Sequence, residues 1–336
     1  MTAAPALVSR PQGSVDRLID LARADMARVD ALITDRLDSP VPLIPALAEH
    51  LVAAGGKRLR PLLTVAASRL VGAQDEGGLK LAAAVEFIHT ATLLHDDVVD
   101  GSQLRRGKEA AHLIWGGASS VLVGDFLFAR AFELMVETGS LEALGILARA
   151  SRVIAEGEVL QLTRAHDLDL DRATYLDIIR GKTAELFAAA AQAGAVAGDA
   201  APEQVEGLRV YGLKLGLAFQ LADDALDYGG ASETLGKNAG DDFREGKATL
   251  PLILAVQRTG VRERPFWERV VGRREQAEGD FRRARELMAA CGALEATLRL
   301  AQEQADEAKR ALSVCAAGPW REALDELADF AVSRRA

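Results

Sequence analysis

Apolar residues recur along this chain with the 3.6-residue period of an α-helix, and there is no convincing strand-like alternation. From Ser14, a candidate N-cap, the residues Val15, Leu18, Ile19, Ala22, Met26, Val29 and Ile33 share one face and predict a helix to about Asp38. Pro40, Pro42 and Pro45 interrupt the pattern, and a short helix follows to Ala54. No proline, the strongest helix breaker, occurs between Pro61 and Pro202. Helical periods there predict segments at about 62–71, 78–100, 117–137, 141–165 and 172–197, resuming at about 202–228, 249–259, 275–313 and 319–333. Residues 229–248 read as a polar, glycine-rich loop. The expected fold is all-α, with a loose tail at 1–13 and a single domain over 14–336.

Composition narrows the function classes. With 336 residues, 49% hydrophobic, the chain has material for a sizeable core, and its low aromatic content (5%) favours helices. A net charge of −9 argues against nucleic acid as a partner. Cys291 and Cys315 lack metal-ligand spacing and read as reduced, structural residues of a cytoplasmic protein. The first residues, MTAAPALVSRPQGS, lack the apolar core of a secretion signal, and no apolar run suggests a membrane span.

The chemistry concentrates in two places. Asp96, Asp97 and Asp100 close an apolar helix at spacing i, i+1, i+4, and Asp223, Asp224 and Asp227 repeat that spacing at the end of another. Like charges one turn apart repel, and carboxylates are disfavoured at a helix C-terminus. A hard cation bound by oxygen alone removes both objections, and Mg2+ commonly bridges a few carboxylates to phosphates. Two facing clusters suggest several Mg2+ ions holding a polyanion, most simply a diphosphate. Cations suited to phosphate accompany them: Lys57, Arg58 and Arg60 in a glycine-rich turn, Arg105 and Arg106, Lys182 with Thr183, and the loop lysines Lys237 and Lys247.

Other constellations fit less well. Gly181-Lys182-Thr183 resembles the end of a nucleotide-binding P-loop, but Leu176 occupies the glycine position and no strand precedes it. Gly181 is instead expected to weaken or kink its helix. Glu86-x-x-His89 and Glu109-x-x-His112 have di-iron spacing, and His95-Asp96 could belong to a metal phosphohydrolase, but the first scheme leaves both aspartate clusters unexplained and the other leaves the second idle. Tyr211 and Trp115 read as core.

Over roughly residues 40–335 the chain resembles the trans-isoprenyl diphosphate synthases, the polyprenyl synthetase family, in their long-chain type. The signatures are Gly55-Gly56-Lys57-Arg58-Leu59-Arg60-Pro61, the stretch from Phe87 to Asp100, and Arg105-Arg106-Gly107. They continue with Gly181-Lys182-Thr183, the run from Phe219 to Asp227, and Gly240 to Lys247. Small departures are Glu109, where proline or threonine is common, and Gly117, where asparagine often stands.

The resemblance implies mostly antiparallel helices around a central cavity, a homodimer, and condensation of isopentenyl diphosphate onto an allylic diphosphate. It assigns Mg2+, up to three ions per site, to Asp96, Asp97, Asp100, Asp223 and Asp227, with Asp224 nearby. It gives the allylic diphosphate to Arg105, Lys182, Thr183, Gln220, Lys237 and Lys247. Isopentenyl diphosphate falls to Lys57, Arg60, His89 and Arg106. Short-chain relatives tend to place bulky groups just before the first cluster; Ala91 and Thr92 stand there and leave a tunnel open, with Phe128 or Phe132 as a deeper floor. The expected product is an all-trans chain of about eight to ten isoprene units, kept from water by an apolar interior, as used in quinone side chains. The alternatives are a short-chain synthase, a terpene cyclase, which would leave Lys57 and Arg106 unexplained, and a non-catalytic synthase subunit, which would be expected to lack some of these aspartates.

Overall fold

The computed structural model describes residues 14–53, 58–105, 107–229 and 240–333. Lys57, Arg106 and Lys237 lie outside the described residues. The chain runs through α1 (Asp16–Arg36), α2 (Leu43–Ala53), α3 (Leu59–Leu70) and α4 (Gly77–Asp100). A two-residue antiparallel hairpin follows, β1 (Leu104–Arg105) and β2 (Lys108–Glu109), then α5 (Ala111–Trp115), α6 (Gly117–Glu137) and α7 (Leu141–Thr163). Next come α8 (Arg172–Ile179), a π-helical turn (Arg180–Ala184), α9 (Glu185–Ala197) and α10 (Pro202–Gly229). After α11 (Asp241–Glu245) the chain closes with α12 (Leu250–Trp267), α13 (Asp280–Ala290), α14 (Ala293–Ala311) and α15 (Pro319–Ser333).

The centre is α9, whose alanines 188–191 are all buried between α3, α4, α7 and α10. Small side chains let the helices approach closely. A Cβ on Gly212 of α10 would lie 2.3 Å from the Phe187 carbonyl oxygen, so no larger residue fits there without a shift. Around this centre, α4 packs mainly on α6, and α10 on α14, so both aspartate-ended helices are held along their length. Deep apolar side chains, among them Leu62, Leu81, Ile88 and Phe187, fill the core beneath them.

Departures from the sequence expectation have local causes. The helix expected at 172–197 is interrupted by the π turn at Gly181, the kink foreseen there. The one expected at 275–313 is two, because Gly292 adopts φ +66° between α13 and α14. In α12 the helix continues past 259 to Trp267 across a break at Gly260 (φ +66°). The loop 229–248 contains α11, too short for a periodic signal. No helix among the described residues is long and apolar enough to cross a membrane.

Candidate active site

Helices α4 and α10 each deliver three aspartates at their C-terminal ends, and in each the middle one turns inward. Asp97 is buried and accepts from Arg105, whose Nε lies 3.0 and 3.2 Å from its two oxygens. Asp224 is buried and accepts from the Tyr175 hydroxyl and from Gln220 Nε2 at 2.7 Å. Asp97 is therefore not available in the same way as its neighbours: it fixes Arg105, and the open carboxylates of the first cluster are Asp96 and Asp100. A helix that carries i and i+4 on its open face turns i+1 away by about 100°.

The two clusters are joined through α11. Asp227 accepts the backbone N–H groups of Asp241 (3.2 Å) and Asp242 (3.1 Å) at the start of α11, and its carbonyl accepts from Gly240 (2.9 Å). Just beyond α11, Lys247 reaches back to Asp100 at 3.0 Å and to Glu245. His166 and Gln276 secure the same segment through the carbonyls of Gly246 (3.1 Å) and Phe243 (2.7 Å).

Lys182 arrives by a different route. Gly157 of α7 and Gly181 of the π turn pass so closely that a Cβ on Gly157 would lie 2.7 Å from the Lys182 nitrogen. That approach sets Lys182 against Glu158 at 2.8 Å. Thr183 donates to Gln220 Oε1 at 2.8 Å, extending a chain Thr183, Gln220, Asp224, Tyr175 behind the site. Lower on α4, His89 faces Arg60, with Nε2 and Nη1 3.2 Å apart, and the Arg60 guanidinium lies 4.4 Å from the Phe187 ring centre.

The electrostatics are those of a site carrying too much negative charge. Burial pushes the Asp96 carboxyl up to about 7; Lys182 and Arg105 oppose the rise, while Glu158 and Asp100 add to it. Burial likewise raises Asp224 to about 7, against the hydrogen bonds of Tyr175 and Gln220 and with help from Asp223 and Asp227. Lys247 is partly desolvated, yet Asp100, Glu245 and Asp242 outweigh that and hold its ammonium protonated above the usual lysine range. The donors are carboxylate oxygens, the chemistry a hard divalent cation prefers. Among the described residues no three metal-binding side chains converge on one point.

Other candidates separate from this centre. His95 stacks on Phe128 (6.1 Å) and meets the Val121 carbonyl at 3.1 Å, so it faces α6, away from any His-Asp metal site. Glu109 is exposed on β2 and Glu86 pairs with Arg58 at 3.6 Å, so neither glutamate of the di-iron spacing is placed as a buried ligand awaiting a metal. Tyr211 is buried, its hydroxyl on the Leu324 carbonyl (2.7 Å), and Trp115 is packed edge-on against His50. Of the tunnel residues, Ala91 is fully buried, while Thr92 and Phe128 are half-buried. Phe132 is 43% exposed on the outer face of α6 and does not floor an interior tunnel within this chain. The reason is periodicity: Leu122, Ala129, Phe132 and Val136 form one solvent-facing stripe.

Sequence reasoning missed Glu158 and Tyr175, and it placed Asp241, Asp242 and Glu245 in a signature without giving them a role. Tyr175 carried a signal, since a tyrosine in an apolar stretch needs a partner for its hydroxyl. So did Gly157, a glycine inside a helix beside the acid that holds Lys182.

The family model for polyprenyl synthetase matches residues 41–288. The octaprenyl diphosphate synthase of Escherichia coli K12 is 47% identical over 321 residues, covering 96% of this chain and 99% of that one. A crystal structure of polyprenyl synthase from Caulobacter crescentus CB15, complexed with calcium and isoprenyl diphosphate, superposes with a TM-score of 0.95 at 75% identity, covering 97% of this chain and all of that one. A decaprenyl diphosphate synthase from Rhodobacter capsulatus superposes with a TM-score of 0.91 at 53% identity, covering 95% and 98%. The chain belongs to the polyprenyl synthetase family and is a prenyltransferase of the long-chain, all-trans type.

Proposed function

We propose that the enzyme condenses isopentenyl diphosphate repeatedly onto an allylic diphosphate and stops at about eight to ten isoprene units, the lengths its octaprenyl and decaprenyl relatives are named for. Quinone side chains are the use such a product suits, and the cytoplasm is the proposed location. The observation that carries the reading is the bridge from Asp100 through Lys247 and α11 to Asp227, which ties two carboxylate clusters and a cation into one site. Mg2+, up to three ions, held by Asp96, Asp100, Asp223 and Asp227 together with the diphosphate, would neutralise the charge that develops as diphosphate departs.

The chain's own residues do the rest. Arg105, oriented by Asp97, and Lys182, Thr183, Gln220, Lys237 and Lys247 grip the allylic diphosphate; fixed cations strengthen as charge gathers on its oxygens. Two of these lysines leave a carboxylate partner for a phosphate: Lys182 leaves Glu158, and Lys247 leaves Asp100. Arg60 and His89, with Lys57 and Arg106, hold isopentenyl diphosphate with its double bond toward the forming cation. Apolar helices below exclude water from that cation. Purified protein supplied with farnesyl diphosphate, labelled isopentenyl diphosphate and Mg2+ is expected to yield a ladder ending at one long polyprenol. No EDTA-sensitive incorporation would leave the non-catalytic subunit reading ahead.

His50 serves the same grip indirectly. Its Nε2 lies 3.0 Å from the Glu109 carbonyl, tying α2 to the hairpin that carries Arg105, the residue before Arg106 in the sequence. His50→Ala is expected to raise KM for isopentenyl diphosphate about tenfold with kcat little changed, and His50→Gln, which keeps an N–H, to restore much of it. Steady-state kinetics decides, and an unmoved KM in His50→Ala removes the role.

A homodimer is proposed through the apolar stripe of α6, where Leu122 is 67%, Phe132 43% and Val136 65% exposed. A largely apolar stripe of this kind, interrupted at Asp125, marks an interface. Phe132→Glu is expected to halve the mass measured by sedimentation equilibrium, and a mass unchanged at micromolar protein would move the interface elsewhere.

A further inference from the structure

Away from the aspartates, α8, α12 and α14 border an open surface cavity of about 230 Å³. Arg172, Arg258 and Arg299 line it with a single carboxylate, Glu303, over a floor that includes Leu250 and Leu254. Three arginines around one cavity, each of them exposed, run against the chain's net charge of −9. Arg258 is fixed in place, donating to the carbonyls of Cys291 (3.0 Å) and Gly292 (2.8 Å). Among the described residues Arg172 and Arg299 have no ion-pair or hydrogen-bond partner, and Glu303, one turn along α14 from Arg299, does not close on it. Guanidinium forks of this kind match phosphate oxygens.

The cavity also touches the machinery of the site. Leu250 opens α12 three residues after Lys247, and its backbone N–H lies beside the Tyr175 hydroxyl, which donates to Asp224. Arg172 opens α8, the helix that carries Tyr175 and leads into the π turn of Lys182. We propose that this cavity is a second anion site, taking the phosphate or diphosphate group of a small phosphorylated molecule, and that its occupant slows the enzyme through Leu250 and Tyr175. Two sources share that chemistry: free diphosphate, released at every condensation, and the head group of isopentenyl diphosphate.

Equilibrium dialysis of labelled inorganic diphosphate against the full-length protein in metal-free buffer tests the site without turnover, so its failure is separate from any failure of the product assignment. Wild type is expected to bind a further diphosphate per chain that Arg172→Gln/Arg299→Gln does not, with an affinity loss of about tenfold for each single change. Arg299→Glu serves as a second variant, and thermal melting checks that each is folded. Equal affinity for isopentenyl diphosphate at this site would identify free diphosphate as the ligand; an affinity about tenfold tighter would identify the prenyl compound, its tail on Leu250 and Leu254. In turnover assays wild type is expected to show a non-competitive component of diphosphate inhibition toward the allylic substrate, lost in the double variant at unchanged basal rate. Equal stoichiometry in both proteins, or purely competitive inhibition of wild type, overturns the proposal.

Discussion

In Asp96→Asn, kcat falls by about 100- to 1,000-fold, the range seen when one preorganised electrostatic group is removed from a transition state, while the metal-free protein melts at a higher temperature. The two signs share one cause. Asp96 is desolvated, and burial with Glu158 and Asp100 outweighs Lys182 and Arg105, so its charge is unfavourable until a cation and a diphosphate arrive. An amide keeps the shape and removes the charge, which relieves the free protein by something of the order of 1 kcal/mol. The neighbouring position behaves oppositely. Asp97→Asn breaks the buried pairing and leaves the Arg105 guanidinium without its hydrogen-bonded carboxylate, with only the charges of Asp96 and Asp100 nearby, a loss of about 3 kcal/mol. Kinetics with and without added Mg2+, and calorimetry in EDTA, separate the cases. A lower melting temperature for Asp96→Asn, or a kcat within threefold of wild type, would sink the assignment of Asp96 to charge stabilisation.

That contrast also marks what was legible in the sequence. The spacing i, i+1, i+4 revealed both clusters and their place at helix ends, because helical periodicity is local. It did not distinguish Asp97 from Asp96, because the distinction depends on Arg105 folding back from a hairpin too short to leave an alternating pattern. Lys182 was legible as a phosphate candidate from the glycine before it. Its counter-charge, Glu158, was not, since it depends on two glycines on separate helices passing at close range. Phe132 was misplaced for a related reason: the sequence carries the period of α6 but not which side of it meets α4.

Thr92→Phe is expected to convert the product from a long polyprenol to one of about fifteen to twenty carbons, because a bulky ring one turn below the first cluster closes the space the growing chain must enter. Thr92 is the position to fill. It sits one turn before Asp96 on α4 and is only half-buried, with its hydroxyl turned back to the His89 carbonyl at 2.9 Å. Ala91, the other residue before the cluster, is fully buried in the main core. A phenylalanine there has no open space to occupy and overpacks the helix contacts, costing about 1–3 kcal/mol. The first condensation should survive Thr92→Phe within about twofold, since the carboxylates and cations that stabilise departing diphosphate are untouched. Chromatography of the dephosphorylated products, together with thermal melts of both variants, reads out the difference. A shortened product with an unchanged melt for Thr92→Phe, beside a destabilised Ala91→Phe, places the tunnel along the Thr92 side of α4. A full-length ladder from Thr92→Phe would refute that course, and the chain would have to leave the aspartates along another face of the bundle.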